Sequence, residues 1–381
     1  MRIRDDFEGS NIKEAIIFSR NHIGIKARED GSPNPLWFYF MLDELNPPCE
    51  LIIDLLNAFD CLGPATSWPE VHPVYSEDDG ETWDRISDTS YLETLGIFRF
   101  KYCFHAKKVL IAYCYPYTSQ NLEFLLRRLS QFTEINRTVI TKTSEQNTLE
   151  AIYIGNSSGE AKLGVLIKAR EHAGETPGSY VLDGFLEWIC SEEASRIRDT
   201  ISLLAIPFVD LDGVKNGYYG KNRPPIDFSR DWESKIRPEV RAITEVVDVW
   251  ASSLSRWVSI SLHSPHHGDV SYFVIPPEEV VGKDIFLETL ELIKTISENL
   301  PSEIGFSPEK DIRIFPRTWL SGIQKGTPSG FYFSKTYRIP SFAFEISYHK
   351  CRSGIYTSIP LYKRLGYALA IGTVKYLESK V

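Results

Sequence analysis

The 381-residue sequence predicts an α/β fold, in which a mixed, mostly parallel sheet is covered by helices on both faces and is preceded by a small antiparallel β-sandwich domain. Two observations predict this class. Up to residue 116, short runs of β-branched and aromatic residues alternate with turn residues. After it, apolar strand-like runs alternate with amphipathic helical ones. The chain length also favours two domains, which we place at residues 1–116 and 117–381.

The first domain is predicted to contain strands and turns. The strands are expected at "EAIIFS", "HIGIKA", "LWFYFML", "IFRFKYCFH" and "KVLIAYC". The run "CELIIDLLNAF" shows a possible helical pattern instead. Between Tyr75 and Arg85 the dipeptide Asp79-Gly80 favours a hairpin turn.

In the second domain, strands and helices alternate along the chain. It opens with the helix "NLEFLLRRLSQF", the strand "KLGVLIKA", the helix "GSYVLDGFLEWIC" and the strand "TISLLAIPFV". The helix "RPEVRAITEVVDVWASSL" and the strands "RWVSISLH" and "DVSYFVIP" follow. The helix "KDIFLETLELIKTISENL", the strand "SFAFEIS" and the helix "LYKRLGYALAIGTVKYLES" complete the predicted order.

The composition excludes several function classes. A formal net charge of -9 and a pI near 5.5 argue against a general nucleic-acid or anionic-membrane binder. No run approaches the roughly 20 apolar residues that span a bilayer. The six cysteines are scattered singly, and the first residues lack the apolar run of a signal peptide. We therefore expect reduced thiols and a cytoplasmic protein, while the oligomeric state stays open.

Polar residues collect at the predicted carboxyl ends of strands, where α/β proteins bind ligands. His172 and Glu175 stand between a strand and a helix, and His263 ends another strand. Zinc accepts imidazole nitrogen and carboxylate oxygen, and a catalytic zinc site uses three protein ligands. Taken alone, however, the His172–Glu175 spacing is more typical of a solvated loop, and a histidine at the end of an apolar strand is more often a structural residue.

Two further segments carry candidate groups. The predicted loop Asp210–Trp232 contains Arg223 and Arg230, which could bind a carboxylate bidentately. Asp227 in that loop could accept the second ring N–H of a metal-bound histidine, although a solvated polar loop is the alternative. Glu345 is a lone carboxylate in an apolar strand, where burial would raise its pKa and suit it to accept a proton.

These segments occur in the order "AREHAGET", "DLDGV", "DFSRDW", "SLHS" and "FAFEIS". In that order they resemble the zinc metallocarboxypeptidase family, in particular its cytosolic carboxypeptidase-like branch. The N-terminal third is similar to the β domain of that branch through "LWFYFML", "PVYSEDDGETW" and "AYCYPYTSQNLEFLL". The resemblance therefore covers nearly the whole chain, and several motifs in order are more specific than any single one.

The resemblance implies a zinc-dependent enzyme that hydrolyses C-terminal peptide or related amide bonds of peptides and proteins. By residue-to-residue correspondence, His172, Glu175 and His263 would hold one zinc ion per chain, and Glu345 would be the general base. Asp227 would accept the outward-facing ring N–H of His172. Peptide or protein C-termini are the implied partners, and neither nucleic acid nor membrane is expected.

The substrate-binding residues correspond less directly. Arg230 falls where the family binds the terminal carboxylate, but its neighbour is Ser229 where the family usually has Asn. An ungapped comparison places Gly220 where the family has an oxyanion-stabilising arginine. Arg223 is then the nearest cation for that role, with Lys221 behind it.

The family's substrate-binding tyrosine has no direct match, and Tyr337 is the residue we take for it, with Tyr332 as the other candidate. Residues 301–340 are rich in basic side chains, which could favour acidic C-terminal residues, as in deglutamylating members of the branch. Ordinary surface charge is the alternative. The six basic residues are Lys310, Arg313, Arg317, Lys325, Lys335 and Arg338.

Two other functions stay open. One is an aspartoacylase-like deacylase of N-acyl amino acids, against which the N-terminal β domain and the "DFSRDW" segment speak. The other is a noncatalytic binding protein on the same fold. Glu345 and the complete set of candidate ligands argue against that second possibility.

Overall fold

A computed structural model describes residues 1–29, 32–61, 65–156, 162–315 and 326–380 of the chain. The described residues form three sheets, of which the largest is eight-stranded and carries the candidate site. Helices cover this mixed sheet, and two five-stranded sheets lie N-terminal to it. The predicted fold class is confirmed. No described helix is both long and apolar enough to cross a lipid bilayer.

The strands of the two N-terminal sheets come from the first third of the chain. They are β1 Arg2–Arg4, β2 Glu14–Ser19, β3 His22–Lys26, β4 Tyr39–Asp43, β5 Cys49–Leu55, β6 Val74–Ser76, β7 Asp84–Arg85, β8 Asp88–Leu92, β9 Ile97–Phe104 and β10 Val109–Ala112. One sheet has the order β1-β4-β10-β6-β7 and the other β2-β3-β5-β9-β8. All pairings are antiparallel except β3 with β5.

The strands of the large sheet are β11 Asn136–Lys142, β12 Thr148–Gly155, β13 Leu163–Ala169, β14 Ile201–Ile206, β15 Arg256–His263, β16 Tyr272–Ile275, β17 Ile312–Ile314 and β18 Ser341–Glu345. Their order across the sheet is β11-β12-β14-β13-β15-β18-β16-β17. The central strands β14, β13, β15 and β18 run parallel, so their carboxyl ends meet at one edge. Buried side chains on nearly every position of β13–β15 explain their continuous apolar runs.

The described α-helices are α1 Ser119–Leu129, α2 Pro177–Ile189, α3 Ser195–Arg198, α4 Leu211–Asn216, α5 Pro238–Ala251, α6 Glu278–Val281, α7 Lys283–Ser297, α8 Pro308–Asp311, α9 Ser329–Tyr337 and α10 Ile359–Glu378. Short 3-10 helices span Ala58–Asp60, Ala65–Glu70, Phe228–Arg230 and Ser302–Ile304. Helix α10 packs closely on α2 at Gly184, which has no side chain. A Cβ at this position would lie only 2.0 Å from the Lys363 carbonyl oxygen, so a larger residue would force the two helices apart.

The helical pattern expected in "CELIIDLLNAF" is wrong. Residues Cys49–Leu55 form β5, in register with β9. Leu51, Ile53 and Leu55 alternate along it and are fully buried, which is the period of a strand. The hairpin at Asp79 is confirmed, since β6 pairs antiparallel with β7.

The N-terminal sheets pack against the elements that end at the candidate site. Arg85 donates hydrogen bonds to the carbonyl oxygens of Tyr348 (3.0 Å) and Thr357, just beyond β18. The ring centre of Trp68 lies 4.7 Å from that of His267, just beyond β15, with the two rings tilted by 50°. Buried side chains of both parts belong to one continuous cluster. The division at residue 116 stays a prediction.

Candidate metal centre

Three segments converge where parallel strands end. Strand β15 ends at His263 and its neighbour β18 ends at Glu345, and these two residues are Cα partners. On the other side of β15, β13 ends at Ala169, which pairs with Leu262. The chain beyond β13 therefore starts beside His263, as expected for the edge at which parallel strands present functional residues.

A tight turn between β13 and α2 aims His172 and Glu175 at the same point. The Glu175 backbone N–H donates to the His172 carbonyl oxygen (3.1 Å), and the Gly174 N–H donates to that of Tyr219 (2.9 Å). Arg170 enters the turn with φ of 60°, and α2 begins at Pro177. Proline suits the first helical position because that position needs no intrahelical N–H donor.

The two histidines face opposite oxygens of one carboxylate. His172 Nδ1 lies 2.9 Å from Glu175 Oε1, and His263 Nδ1 lies 2.9 Å from Glu175 Oε2. One candidate ligand atom from each residue lies within 4.8 Å of the others. Two imidazole nitrogens and one carboxylate oxygen are a donor set that zinc accepts, with room for a further ligand. The residues present therefore fit a zinc ion.

Charge is concentrated around this cluster. Burial favours a neutral His172 ring, but the Asp227 and Glu175 carboxylates outweigh it and raise the pKa of His172 to about 9. Burial opposes ionisation of Glu175 as well. Lys221 and the two imidazoles nevertheless hold the pKa of Glu175 well below its usual range. Glu175 is therefore a buried carboxylate anion that is stabilised by neighbouring positive charge.

The outward nitrogen of His172 faces a second carboxylate. Its Nε2 lies 3.0 Å from Asp227 Oδ1, as the sequence predicts for this pair. Asp227 also accepts the Ser229 N–H (2.8 Å) and hydroxyl (2.8 Å) and the Asn222 N–H (2.7 Å). These bonds fix the orientation of the Asp227 carboxylate, and through it that of the imidazole.

Sequence reasoning missed the residue that faces the outward nitrogen of His263. Glu171 Oε2 lies 3.5 Å from His263 Nε2. Burial opposes the charge on Glu171, but His263, Lys168 and Ser261 lower its pKa to about 2. A signal was present in the sequence, because Lys168 lies inside an apolar strand three positions before Glu171 and a buried lysine needs a partner.

Beside the cluster lies a cavity of about 540 Å³. Glu345 lines it, and burial raises the pKa of this carboxyl group. His172 and His263 lie in its wall together with Ser229 and Arg230. The structure therefore brings the two candidate histidine ligands, the candidate base and the candidate carboxylate-binding residues to one cavity. Its apolar wall includes Val274, Ile275, Pro276, Phe315, Phe331 and Ala343.

Arg223 is not among the residues that line this cavity. Its guanidinium pairs with the buried Asp210 and lies 4.9 Å from the ring centre of Tyr218. Lys221 lines the cavity instead, with its Nζ 2.9 Å from Glu175 Oε1 and donating to the Ser264 carbonyl oxygen (3.0 Å). Arg223 was expected to face the carbonyl group of the substrate, but it lies outside the cavity wall.

Backbone geometry explains why residue 220 does not supply the cation in the cavity wall, which Lys221 supplies instead. Gly220 has φ of +93°, which L side chains rarely adopt. A Cβ there would lie 2.6 Å from the backbone nitrogen of Ala173. Position 220 thus has no space for the arginine that the family resemblance implies.

Tyr337 also lies outside the cavity wall. Its hydroxyl donates to Asp248 and its ring packs on Trp257 at 5.1 Å. Tyr332 packs on Trp232 at 6.5 Å and is likewise not a wall residue. The described tyrosine in the wall is Tyr272, whose strand pairs with β18 so that it is the Cα partner of Glu345.

Three described cations of the predicted basic segment pair with carboxylates, and the fourth is exposed. Lys335 lies 3.8 Å from Glu233, and Arg338 pairs with Asp284 on the surface. Arg313 pairs with Asp269 at 2.8 Å and stacks on the Tyr272 ring at the edge of the cavity. Lys310 is an exposed residue of α8. Arg317 and Lys325 lie outside the described residues.

Comparisons with known proteins agree with this geometry. The family described as zinc carboxypeptidase matches residues 118–254, which include His172, Glu175 and Arg230. Cytosolic carboxypeptidase 2 of Danio rerio is 26% identical over 264 residues, which cover 61% of this chain and 36% of that protein. Cytosolic carboxypeptidase 6 of Caenorhabditis elegans is 25% identical over 262 residues, covering 63% of this chain and 57% of that protein.

Over residues 118–254 the chain is similar to zinc carboxypeptidases.

Solved structures share its fold across the whole chain. A metallo-carboxypeptidase from Burkholderia cenocepacia has a TM-score of 0.82 at 18% identity, with complete coverage of both chains. One from Pseudomonas aeruginosa, in complex with (2-guanidinoethylmercapto)succinic acid, has a TM-score of 0.82 at 19% identity and 99% coverage of both. The matched part of the chain spans less than two thirds of the length of the two curated relatives. The likeness to the solved structures establishes the fold.

Proposed function

We propose that this chain is a zinc carboxypeptidase that hydrolyses C-terminal peptide or related amide bonds. The observation that carries the proposal is the convergence of His172, Glu175 and His263 beside a cavity that is lined by Glu345 of the adjacent strand. In this proposal the first three residues are the zinc ligands and Glu345 is the general base.

When bound, the zinc ion would polarise the scissile carbonyl group and lower the pKa of a neighbouring water molecule toward about 7. Glu345 would accept a proton from that water and pass it to the leaving amine. Burial of Glu345 supports the second step, because a carboxyl group with a raised pKa holds a proton more readily. Asp227 would keep the His172 ring oriented throughout.

Arg230 is proposed to bind the free α-carboxylate of the substrate. It is a largely buried cation in the cavity wall, close to the candidate ligands and next to Ser229. A planar guanidinium group binds a carboxylate bidentately, which would select chain ends over internal peptide bonds. Exopeptidase activity follows from this arrangement.

Lys221 is proposed to stabilise the negative charge that develops on the carbonyl oxygen. Its ammonium group lies in the cavity wall beside Glu175. Arg223, in contrast, forms an ion pair with Asp210 outside the cavity wall. One positioned donor of this kind contributes about 3 kcal/mol in other hydrolases.

Preference for acidic C-terminal residues stays a finer prediction. Lys221 and Arg230 make part of the cavity wall positive, while Val274, Phe315 and Phe331 make another part apolar. The cytoplasm is the proposed compartment, supported by the names of the cytosolic carboxypeptidase relatives.

The deciding experiment is hydrolysis of a C-terminal peptide library by zinc-loaded protein. The library should include amidated peptides and N-acetyl amino acids, and one arm should be stripped of metal and another reloaded. We expect release of C-terminal residues that stops on chelation and returns with zinc. Release of acetate alone would favour the deacylase, and no turnover by zinc-loaded protein would favour a binding protein.

A further inference from the structure

We infer that Glu171 is a positioning residue that holds His263 in the orientation needed to bind the metal through Nδ1. The inference rests on the metal centre in the proposed function and adds a residue that neither the family match nor the motif assigns. Glu171 would accept the outward-facing ring N–H of His263, as Asp227 does that of His172.

The ring of His263 has two distinct sides. Nδ1 lies 2.9 Å from Glu175 Oε2, on the side of the candidate ligands, and Nε2 lies 3.5 Å from Glu171 Oε2. An imidazole that binds a metal through Nδ1 carries its proton on Nε2, and that N–H needs an acceptor when it is buried. Glu171 is the carboxylate in position to accept it.

The same arrangement occurs at the first histidine. His172 presents Nδ1 to Glu175 Oε1 at 2.9 Å and Nε2 to Asp227 Oδ1 at 3.0 Å. The two imidazoles are therefore arranged alike around Glu175, and each has a carboxylate behind it. The Glu171 contact is the longer of the two, so we expect its contribution to be the smaller.

Glu171 is fixed in place by the residues around it. Its side chain is fully buried, Ser261 donates a hydroxyl hydrogen bond to Oε1 (2.7 Å), and Trp232 donates its indole N–H to Oε2 (3.3 Å). Ser261 lies two positions before His263 on β15. A carboxylate held by the strand that carries the histidine cannot swing away from it without breaking these bonds.

The charge of Glu171 is balanced from the opposite side. Lys168 Nζ lies 3.8 Å from Oε1 and 4.9 Å from the ring centre of Phe333. Lysine thus approaches one carboxylate oxygen and His263 the other. A carboxylate needed only to neutralise Lys168 would not have to present Oε2 to the metal-binding histidine.

Zinc affinity of the Glu171→Gln variant tests the inference. The amide keeps the size of the side chain but accepts through one atom and carries no charge. We expect zinc affinity about 10-fold weaker, at the lower end of the 10–100-fold range for such partners. Competition with a chromogenic chelator measures it, and visible absorption of the Co²⁺-loaded protein reports on ligand geometry. Asp227→Asn is the matched comparison and should lose at least as much.

Because Glu171→Gln leaves Lys168 buried without its partner, a second variant separates folding from metal binding. In Lys168→Met/Glu171→Gln both charges are removed together, so no uncompensated charge is buried. We expect the free energy of unfolding of the metal-free double variant to be close to that of the wild-type protein. Its zinc affinity should be as weak as that of Glu171→Gln.

Wild-type zinc affinity and Co²⁺ absorption in both variants would overturn the inference and leave Glu171 as the counter-ion of Lys168. Failure of the proposed function gives a different result, in which the wild-type protein binds zinc tightly and hydrolyses no peptide. The positioning of His263 would then still be decided by the affinities.

Discussion

His263 and Glu345 are Cα partners at the ends of two adjacent parallel strands, β15 and β18. The backbone pairing continues beyond them, since the Ile346 N–H donates to the His263 carbonyl oxygen (2.8 Å). Paired residues of a sheet project to the same face. A candidate ligand and the candidate base are therefore held side by side by the sheet rather than by a loop.

Replacing each member of this pair should have different consequences. Glu345→Gln should keep zinc and lose at least about 100-fold in turnover, because proton transfer is removed and the ligand set is intact. His263→Ala should lose zinc itself, because one of three protein ligands is gone. Elemental analysis and peptide hydrolysis, measured on the same samples, check both expectations. Equal loss of zinc in the two variants would contradict the assigned roles.

Arg230→Ala should abolish the preference for a free chain end. Loss of a charge-assisted bond to the terminal carboxylate is worth about 1.5–3 kcal/mol, or roughly 10–150-fold in kcat/KM. The effect should appear with free C-termini and not with amidated ones. Arg223→Gln is the control, since that arginine pairs with Asp210 outside the cavity wall. An unchanged ratio of free to amidated substrate in Arg230→Ala would defeat the proposed carboxylate contact.

The sequence predicts strands β15 and β18 well because each is a mainly apolar run that ends in a polar residue. The run "RWVSISLH" corresponds to β15 without a shift, and its last residue, His263, reaches the site. Likewise "SFAFEIS" contains β18 and places Glu345 at its end. The periodicity of a buried strand and the position of its end are local properties, so the sequence suffices for them.

The residues that sequence reasoning misplaced depend on loop conformation. Lys221 and Arg223 are two positions apart, and the positive φ values of Gly220 and Asn222 decide which of them reaches the cavity. Backbone reversal of this kind depends on tertiary contacts such as that of residue 220 with Ala173. The spacing of residues along the sequence does not predict such contacts.

The tyrosine in the cavity wall was missed for a different reason. Tyr272 is brought there by the pairing of β16 with β18, two strands that lie far apart in the sequence. Tyr337 is close to Glu345 in sequence, but its hydroxyl is bound to Asp248 of α5. Pairing between distant strands is set by the whole sheet, which a single sequence does not reveal.

Lys221→Met should lower kcat/KM by about 100-fold at full zinc occupancy, because a donor facing the developing oxyanion is lost. Its contact with Glu175 also touches a candidate ligand, so zinc content has to be measured first. Arg223→Met is the matched control, and it should reduce stability through Asp210 without a comparable loss of kcat/KM at equal zinc content. A variant at position 221 with wild-type kcat/KM and full zinc would exclude the proposed role.

A buried carboxyl group of helix α2 gives a prediction for stability. Asp183 of α2 accepts a hydrogen bond from the Tyr117 hydroxyl (2.6 Å), and burial raises the pKa of Asp183 from 3.8 to about 7. The folded protein therefore binds a proton here that the unfolded chain releases near pH 4. Stability from this group is present below the unfolded pKa and is lost as pH rises to the folded pKa.

Asp183→Asn should remove this pH dependence, because an amide keeps the acceptor for Tyr117 and carries no charge to desolvate. Relative to wild type, the variant should gain stability between about pH 4 and pH 7, by up to about 4 kcal/mol at the upper end. Denaturant unfolding of both proteins at several pH values measures the difference. Tyr117→Phe is the control, since it removes the donor but leaves the titrating carboxyl group. A stability difference between Asp183→Asn and wild type that stays constant with pH would show that Asp183 does not titrate in this range.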